Sequence, residues 1–291
     1  AVSWDEFVKE HTERIPGEKN RIEAKRTLDE FGRETKKTPP RRVTFALIES
    51  YVEALNAKGN THATINKKLR YLRAAFNKAV KRGYLAKSPM SSWDWTAEQD
   101  KPIRELSQSE QARLLAAAKD LYGFRWWSFI YLAVNTGGRR GELLALPWDR
   151  VDFEDGSVLF THTKGKRNRR LPVLPGPMRV LRRLQIQTLQ AGGPFVGMGE
   201  HLRDEWLAIL EKSGIAYATP HDLRRTYITR LIRAGVSLPT VQKLAGHVSI
   251  TTTLKFYTHV GAEDLRAGVE KLRPQAPAKP ATKAQNKKTA G

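Results

Sequence analysis

His221-Asp222-Leu223-Arg224-Arg225-Thr226 and, twenty residues on, Gly246-His247-Val248-Ser249-Ile250-Thr251-Thr252-Thr253-Leu254-Lys255-Phe256-Tyr257 form the stretch whose reading decides the fold. His221 and Arg224 are three apart, so on a helix they share a face. Gly246 reads as a helix end, because glycine takes the left-handed cap without a Cβ penalty. A short helix from Thr251 to Val260 then carries Tyr257. A phenol, two imidazoles and a guanidinium therefore fall on a few short elements. They suit chemistry on a phosphate: arginine grips the anion with two prongs, histidine moves protons or donates, and tyrosine attacks.

Upstream of this stretch lie two further segments of the same character. Thr136-Gly137-Gly138-Arg139-Arg140-Gly141-Glu142-Leu143 follows a very apolar helix, Phe124 to Val134. The period then changes. Val151-Asp152-Phe153, a turn at Asp155-Gly156, and Ser157 to Thr161 read as a hairpin. Lys164-Gly165-Lys166-Arg167-Asn168 is a basic turn, and Arg169 to Leu174 a third strand. The expectation is a small antiparallel sheet inside a mainly helical (α+β) domain. Helices are expected over Gly176 to Gln190, His201 to Lys212, Pro220 to Ala234 and Leu238 to Ala245.

The N-terminal part reads differently. Ser3 with Glu6 makes a capping box for a helix to His11, and further helices follow over Asn20 to Phe31, Thr44 to Asn56 and Thr61 to Arg82. Phe45, Ile48, Val52 and Leu55 mark the inner face of the third. Residues 1–85 thus read as an all-α domain. The last helix has Ile65, Leu69, Leu72, Phe76 and Val80 on one side and Lys67, Lys68, Arg70, Arg73, Lys78, Lys81 and Arg82 on the other. It carries almost no acid of its own, which points to a face for a nucleic-acid backbone rather than a merely solvated one. Residues 86–105, with Pro89, Pro102 and several serines, read as an interdomain linker that Trp93 and Trp95 could pin to one side. Ser107 with Glu110 opens the second domain with another capping box, and a helix runs to Asp120. From Pro274 the composition becomes Pro, Ala, Lys and Thr, so residues 274–291 read as a disordered tail.

Composition narrows the function. The chain has 291 residues, 51 Lys and Arg against 30 Asp and Glu, and a net charge of +21. Such a field attracts polyanions, nucleic acid ahead of anionic membrane. With no cysteine, disulfides, cysteine zinc sites and thiol catalysis are excluded, and a reducing cytosol fits. No apolar run approaches the roughly 18 residues of a membrane span, and no secretory leader is read at the start. There is no P-loop, no HExxH and no acidic cluster spaced for magnesium. Neither a metal nor another cofactor is expected.

Five segments together, in order, resemble the tyrosine site-specific recombinases, the phage-integrase family. They are Thr136 to Leu143, Lys164 to Pro172, His221 to Thr226, Gly246-His247 and Tyr257-Thr258-His259. The resemblance spans Leu106 to Val260; the N-terminal domain looks like the family's core-binding domain by size and position. It implies catalytic Arg139, Lys164, His221, Arg224 and His247, with Tyr257 as nucleophile. Ala245 and Arg225 depart from residues common in the family, neither at a catalytic position. The implied reaction is cleavage and rejoining of double-stranded DNA through a 3′-phosphotyrosine, without metal or ATP. Lys164 would protonate the leaving 5′ oxygen, and His247 would donate to a phosphate oxygen. Expected DNA contacts are Lys67, Lys68, Arg70, Arg73, Lys166, Arg167 and Arg169; Glu142 reads as structural, a partner for an arginine.

The implied assembly is a homotetramer on two DNA sites, closed by a helix over residues 261–273 that docks into a neighbour, with accessory DNA-bending or directionality factors as further partners. The catalytic domain would run over residues 106–273, and the protein would be cytoplasmic and nucleoid-associated. Two rival readings stay open on the residues alone: a monomeric enzyme of the type IB topoisomerase kind, and a DNA-binding protein without catalysis.

Overall fold

The computed structural model describes residues 2–97, 103–161, 168–188 and 191–257. They divide into two compact units, with the boundary between Lys101 and Pro102.

The first unit is built from α1 (Trp4–Glu13), α2 (Glu18–Glu34), α3 (Phe45–Ala57) and α4 (His62–Lys81), with a short 3-10 turn at Pro40–Arg42. Local chemistry sets the helix starts. The Ser3 hydroxyl caps α1 while Glu6 reaches back to the Ser3 amide, and the Thr44 and Thr61 hydroxyls cap α3 and α4. The core is aromatic: Trp4, Phe7, Phe31, Tyr51 and Phe76 are all buried, with Phe31 set edge-on to Tyr51 at 5.2 Å. Gly32 is required where α1 meets α2, because a Cβ there would lie 2.4 Å from the Trp4 indole nitrogen.

One expectation is corrected in this unit. On α3 the fully buried residues are Ile48, Tyr51 and Leu55, with Val52 packed on the same core, while Phe45 is 40% exposed and packs on Trp93. The stretch after α4 is pinned to this unit by its tryptophans, in line with the reading of Trp93 and Trp95. Met90 is buried, Trp93 and Trp95 pack on the same core, and Asn66 donates to the Thr96 carbonyl at 2.8 Å.

The second unit opens with α5 (Gln108–Thr136), started by the Ser107–Glu110 capping box and kinked at Gly123, whose φ of 74° no other residue type takes as cheaply. Its second half is the apolar spine: Phe129 and Ile130 are wholly buried, a burial worth about 2–3 kcal/mol for each such side chain. After α6 (Arg140–Leu144) come β1 (Val151–Asp152), β2 (Ser157–Phe160) and β3 (Arg169–Pro172). They form an antiparallel sheet in that order, with Val158 opposite Leu171 and Phe160 opposite Arg169. Then follow α7 (Pro175–Thr188), α8 (Leu202–Ser213), α9 (Pro220–Arg233), α10 (Leu238–Ala245) and α11 (Ile250–Tyr257). Helices α7, α8 and α9 pack on α5. Ile228, Ile232, Val241, Ala245 and Phe256 close a smaller core that seats α10 and α11 against α9. The fold is mainly helical with a small antiparallel sheet, as the periodicities predict. Among the described residues no helix is long and apolar enough to cross a membrane.

Candidate active site

Two helix ends and one helix start converge on a cationic cleft. The first end is that of α5. The Thr136 hydroxyl turns back to the Leu132 carbonyl at 2.7 Å, and Gly137 caps the helix in the left-handed conformation. Glycine is needed there twice over, because a Cβ would stand 2.3 Å from the Tyr227 ring. The chain then delivers Arg139 to the start of α6, where the Arg139 amide donates to Glu142 Oε2 at 2.9 Å.

The helix start is that of α9. Thr219 caps it with Asp222, whose carboxylate takes the Thr219 amide and hydroxyl, each at 2.7 Å, and Pro220 follows where its missing N–H costs nothing. His221 and, one turn later, Arg224 project from the same face. The second helix end is that of α10, where Gly246 takes the left-handed cap and passes the chain to His247.

Backbone carbonyls from both helix ends hold the two guanidiniums. Arg224 is only 1% exposed and donates to Gly137 O at 2.5 Å and to Ala245 O. Arg139 donates to Gly246 O at 2.8 Å and to Glu142 Oε1 at 2.5 Å. A cleft of about 350 Å³ lies in front of them, lined by Gly138, Arg139, Thr219, His221 and Arg224 among others. A neighbouring cleft of about 440 Å³ is lined by Arg169, Lys243, Gly246 and His247.

The electrostatics follow from packing so many cations together. Burial pushes Arg224 down to about 9, with Arg139 and Arg169 adding to the effect; it stays charged at neutral pH. His221 keeps a solvent-open edge, yet the desolvation of its packed side, then Arg224 and Arg225, lower its pKa. His247 is held down to about 4, first by burial and then by Arg224 and Arg139. Both imidazoles are therefore neutral at pH 7. The His247 Nδ1 lies 2.9 Å from the hydroxyl of Thr253, itself fully buried. If that hydroxyl donates, the Nε2 of His247 carries the proton and is a donor. Glu142 is the counter-charge. Burial works to raise its carboxyl, but Arg169 and Arg139 outweigh burial and lower it.

Of the residues singled out in the sequence, Arg139, His221, Arg224 and His247 meet in this region. Tyr257 is the last residue of α11, directly after Phe256, whose ring stacks on His247 at 6.1 Å; its side chain lies outside what is described. Lys164, Lys166 and Arg167 lie outside the described residues, as do residues 261–273 and the tail. Arg169 is corrected: it points inward, not to a DNA surface. Its guanidinium is buried and taken by Glu142 at 2.7 Å and Leu244 O at 2.5 Å. On α4, Lys67 and Lys68 are paired with Glu23 and Glu30 of α2, at 2.7 and 2.8 Å. Arg70 and Arg73 lie over the Trp95 ring, 5.8 and 5.5 Å from its centroid. Thr253 and Lys243 were not foreseen; one threonine among three on α11 gives no local signal of an imidazole partner.

Comparison with known proteins agrees with this geometry. The profile of the Phage integrase family matches residues 104–264, and that of the Phage integrase SAM-like domain matches residues 4–96. The chain is similar to a XerC-like tyrosine recombinase of Caldanaerobacter subterraneus, 28% identical over 271 residues, covering 77% of this chain and 69% of that protein. It is similar also to tyrosine recombinase XerC of Bacillus licheniformis, 29% identical over 255 residues, covering 80% and 82%. Among solved structures, the integrase of transposon Tn1549 in complex with a circular intermediate DNA aligns at a TM-score of 0.77 and 21% identity, over 94% of this chain and all of that one. A lambda integrase tetramer bound to a Holliday junction aligns at 0.72 and 19% identity, over 88% and 77%. At those identities the structures speak for the fold.

Proposed function

The chain belongs to the phage integrase family and is a tyrosine recombinase, and we propose that it cuts and rejoins double-stranded DNA at specific sites through a 3′-phosphotyrosine, with neither metal nor nucleotide cofactor. The observation that carries this reading is the cleft in which carbonyl-fixed Arg139 and Arg224 stand beside a neutral His221, with neutral His247 on the turn that leads to the helix of Tyr257.

In this mechanism Arg139 and Arg224 bind the non-bridging oxygens of the scissile phosphate and hold the extra charge of the pentacoordinate state. The Tyr257 oxygen attacks phosphorus and its proton passes to His221, which burial and then the neighbouring cations keep neutral at rest. The bond from phosphorus to the 5′ oxygen breaks, and Lys164 supplies that oxygen with a proton. His247 Nε2 donates to a phosphate oxygen. Reversal with a new 5′ hydroxyl rejoins the strand, and the phosphotyrosine conserves the bond energy.

The test is a nicked duplex from which the cleaved fragment escapes, incubated in EDTA without nucleotide. The native chain should accumulate a covalent protein–DNA adduct. Tyr257→Phe should bind the DNA equally and form none; an adduct with this variant, or a strict need for magnesium, refutes the mechanism.

We place Lys166 and Arg167, with Arg70 and Arg73, on the DNA. Lys67 and Lys68 contribute less, since Glu23 and Glu30 already neutralise them. The lambda integrase tetramer on a Holliday junction supports a tetramer here, formed on two DNA sites and closed by residues 261–273. A chain ending at Val260 should then still form adduct on one site but fail to recombine two. Full recombination by that chain would rule out this role for residues 261–273.

A further inference from the structure

We propose that Arg169 is a positioning residue for the reaction: it locks the turn carrying His247, and the guanidinium of Arg139, to strand β3. This rests on the reading of Arg139 and His247 given above. Arg169 begins β3, and its side chain is almost fully buried, at 8% exposure. One prong donates to Glu142 Oε2 at 2.7 Å, and the other to the Leu244 carbonyl at 2.5 Å. Its plane lies over the Phe160 ring at 4.8 Å, directly across the β2–β3 ladder.

The contacts form a closed circuit. Arg169 holds Glu142; Glu142 holds the Arg139 guanidinium at 2.5 Å and its amide at 2.9 Å; Arg139 holds the Gly246 carbonyl at 2.8 Å. The backbone from Gly246 to Leu244 returns to Arg169. The fit is tight on the remaining side too, since a Cβ on Gly246 would lie 2.8 Å from Arg169 Cδ. Burying a guanidinium beside those of Arg139 and Arg224 is costly, and among the described residues its Nε is buried without a hydrogen-bond partner. A surface contact to DNA needs no such arrangement. The cost is intelligible if the residue fixes geometry: a two-pronged planar group bridges a carboxylate and a carbonyl at set angles, which lysine cannot do.

The test compares the native chain with Arg169→Met and Arg169→Lys, using the whole protein and the nicked duplex. Three quantities are read: DNA affinity across a salt series, the single-turnover rate of adduct formation, and the thermal midpoint. For Arg169→Met the expectation is unchanged affinity and salt slope, with adduct formation slowed roughly 10- to 100-fold, the scale of an ångström-level misplacement. Arg169→Lys should be slowed by less than Arg169→Met at equal affinity. A salt slope reduced by about one would make Arg169 a phosphate contact and overturn the proposal. So would an adduct rate within about threefold of native. Should Arg169→Met fail to fold, Arg169→Lys carries the same comparison. If the native chain itself gives no adduct, the proposed reaction fails, and that outcome is distinct from normal catalysis by the Arg169 variants.

Discussion

Glu142→Gln removes one charge and almost no volume, so its effect measures how far the arginine cluster depends on a single carboxylate. Glu142 is 8% exposed. It takes the Arg139 guanidinium at 2.5 Å, the Arg139 amide at 2.9 Å and the Arg169 guanidinium at 2.7 Å. In the variant, one of the two oxygens becomes an NH2 that must face a guanidinium. Breaking a buried pair from one side costs about 3–5 kcal/mol. For a unit of this size each kcal/mol moves the midpoint by roughly 2–4 °C, so the melting temperature should fall by roughly 6–20 °C at pH 7. Acid should shrink the difference. The Glu142 carboxyl is lowered from its ordinary 4.5 in the folded chain, so its stabilisation is complete above that value and is lost as the pH falls through the folded pKa. Calorimetry of both chains across a pH series is the assay. A drop under about 2 °C at pH 7, or a gap that widens in acid, would refute the reasoning.

His247 titrates in the opposite sense from a paired histidine. Its folded pKa of about 4 lies below the ordinary 6.5, so the stability it confers is present above 6.5 and fades as the pH falls toward 4. Discounted for partial exposure, this amounts to about 2 kcal/mol. Denaturant melts of native chain and His247→Gln at pH 7 and pH 5 should show the native chain losing more; parallel losses would show that His247 is not desolvated. For Arg224→Lys, adduct formation on the nicked duplex should slow by about 10²–10³-fold, because a point charge cannot serve both carbonyls and the phosphate. Single-turnover rates within threefold of native would remove Arg224 from the chemistry.

What the sequence made legible is mostly what short range decides. The Ser3–Glu6 and Ser107–Glu110 boxes, the glycine cap at Gly246, and the Asp155-Gly156 turn are each written within a few residues, and each stands in the fold. The convergence of Arg139, His221, Arg224 and His247 could be read ahead because their segments keep their order and spacing, although His221 and His247 come from different elements. Charge partners were not legible, because they cross between elements. The α4 face reads as acid-free only while α2 is ignored: Glu23 and Glu30, seven apart on one face of α2, are what Lys67 and Lys68 meet. Arg169 is the more instructive miss. Strand alternation puts it on the same side as Leu171, and β3 is indeed buried, exposed, buried, exposed along its length. Residue type argued for the surface, the period argued for the interior, and the period was right.

The two glycine caps at Gly137 and Gly246 have an electrostatic consequence of their own. Each marks the C-terminal end of a helix, where the aligned peptide dipoles leave about half a negative charge. The α5 and α10 ends thus present partial negative charge to Arg224 and Arg139 through carbonyls that would otherwise lack partners. The α9 start does the reverse, since His221 sits in its first turn at the positive end of the dipole, which favours the neutral imidazole at rest. Backbone ends therefore let the cleft hold its cations in place before any DNA arrives. They spend only part of the guanidinium donors, and a phosphate entering the cleft finds charges whose orientation is already set.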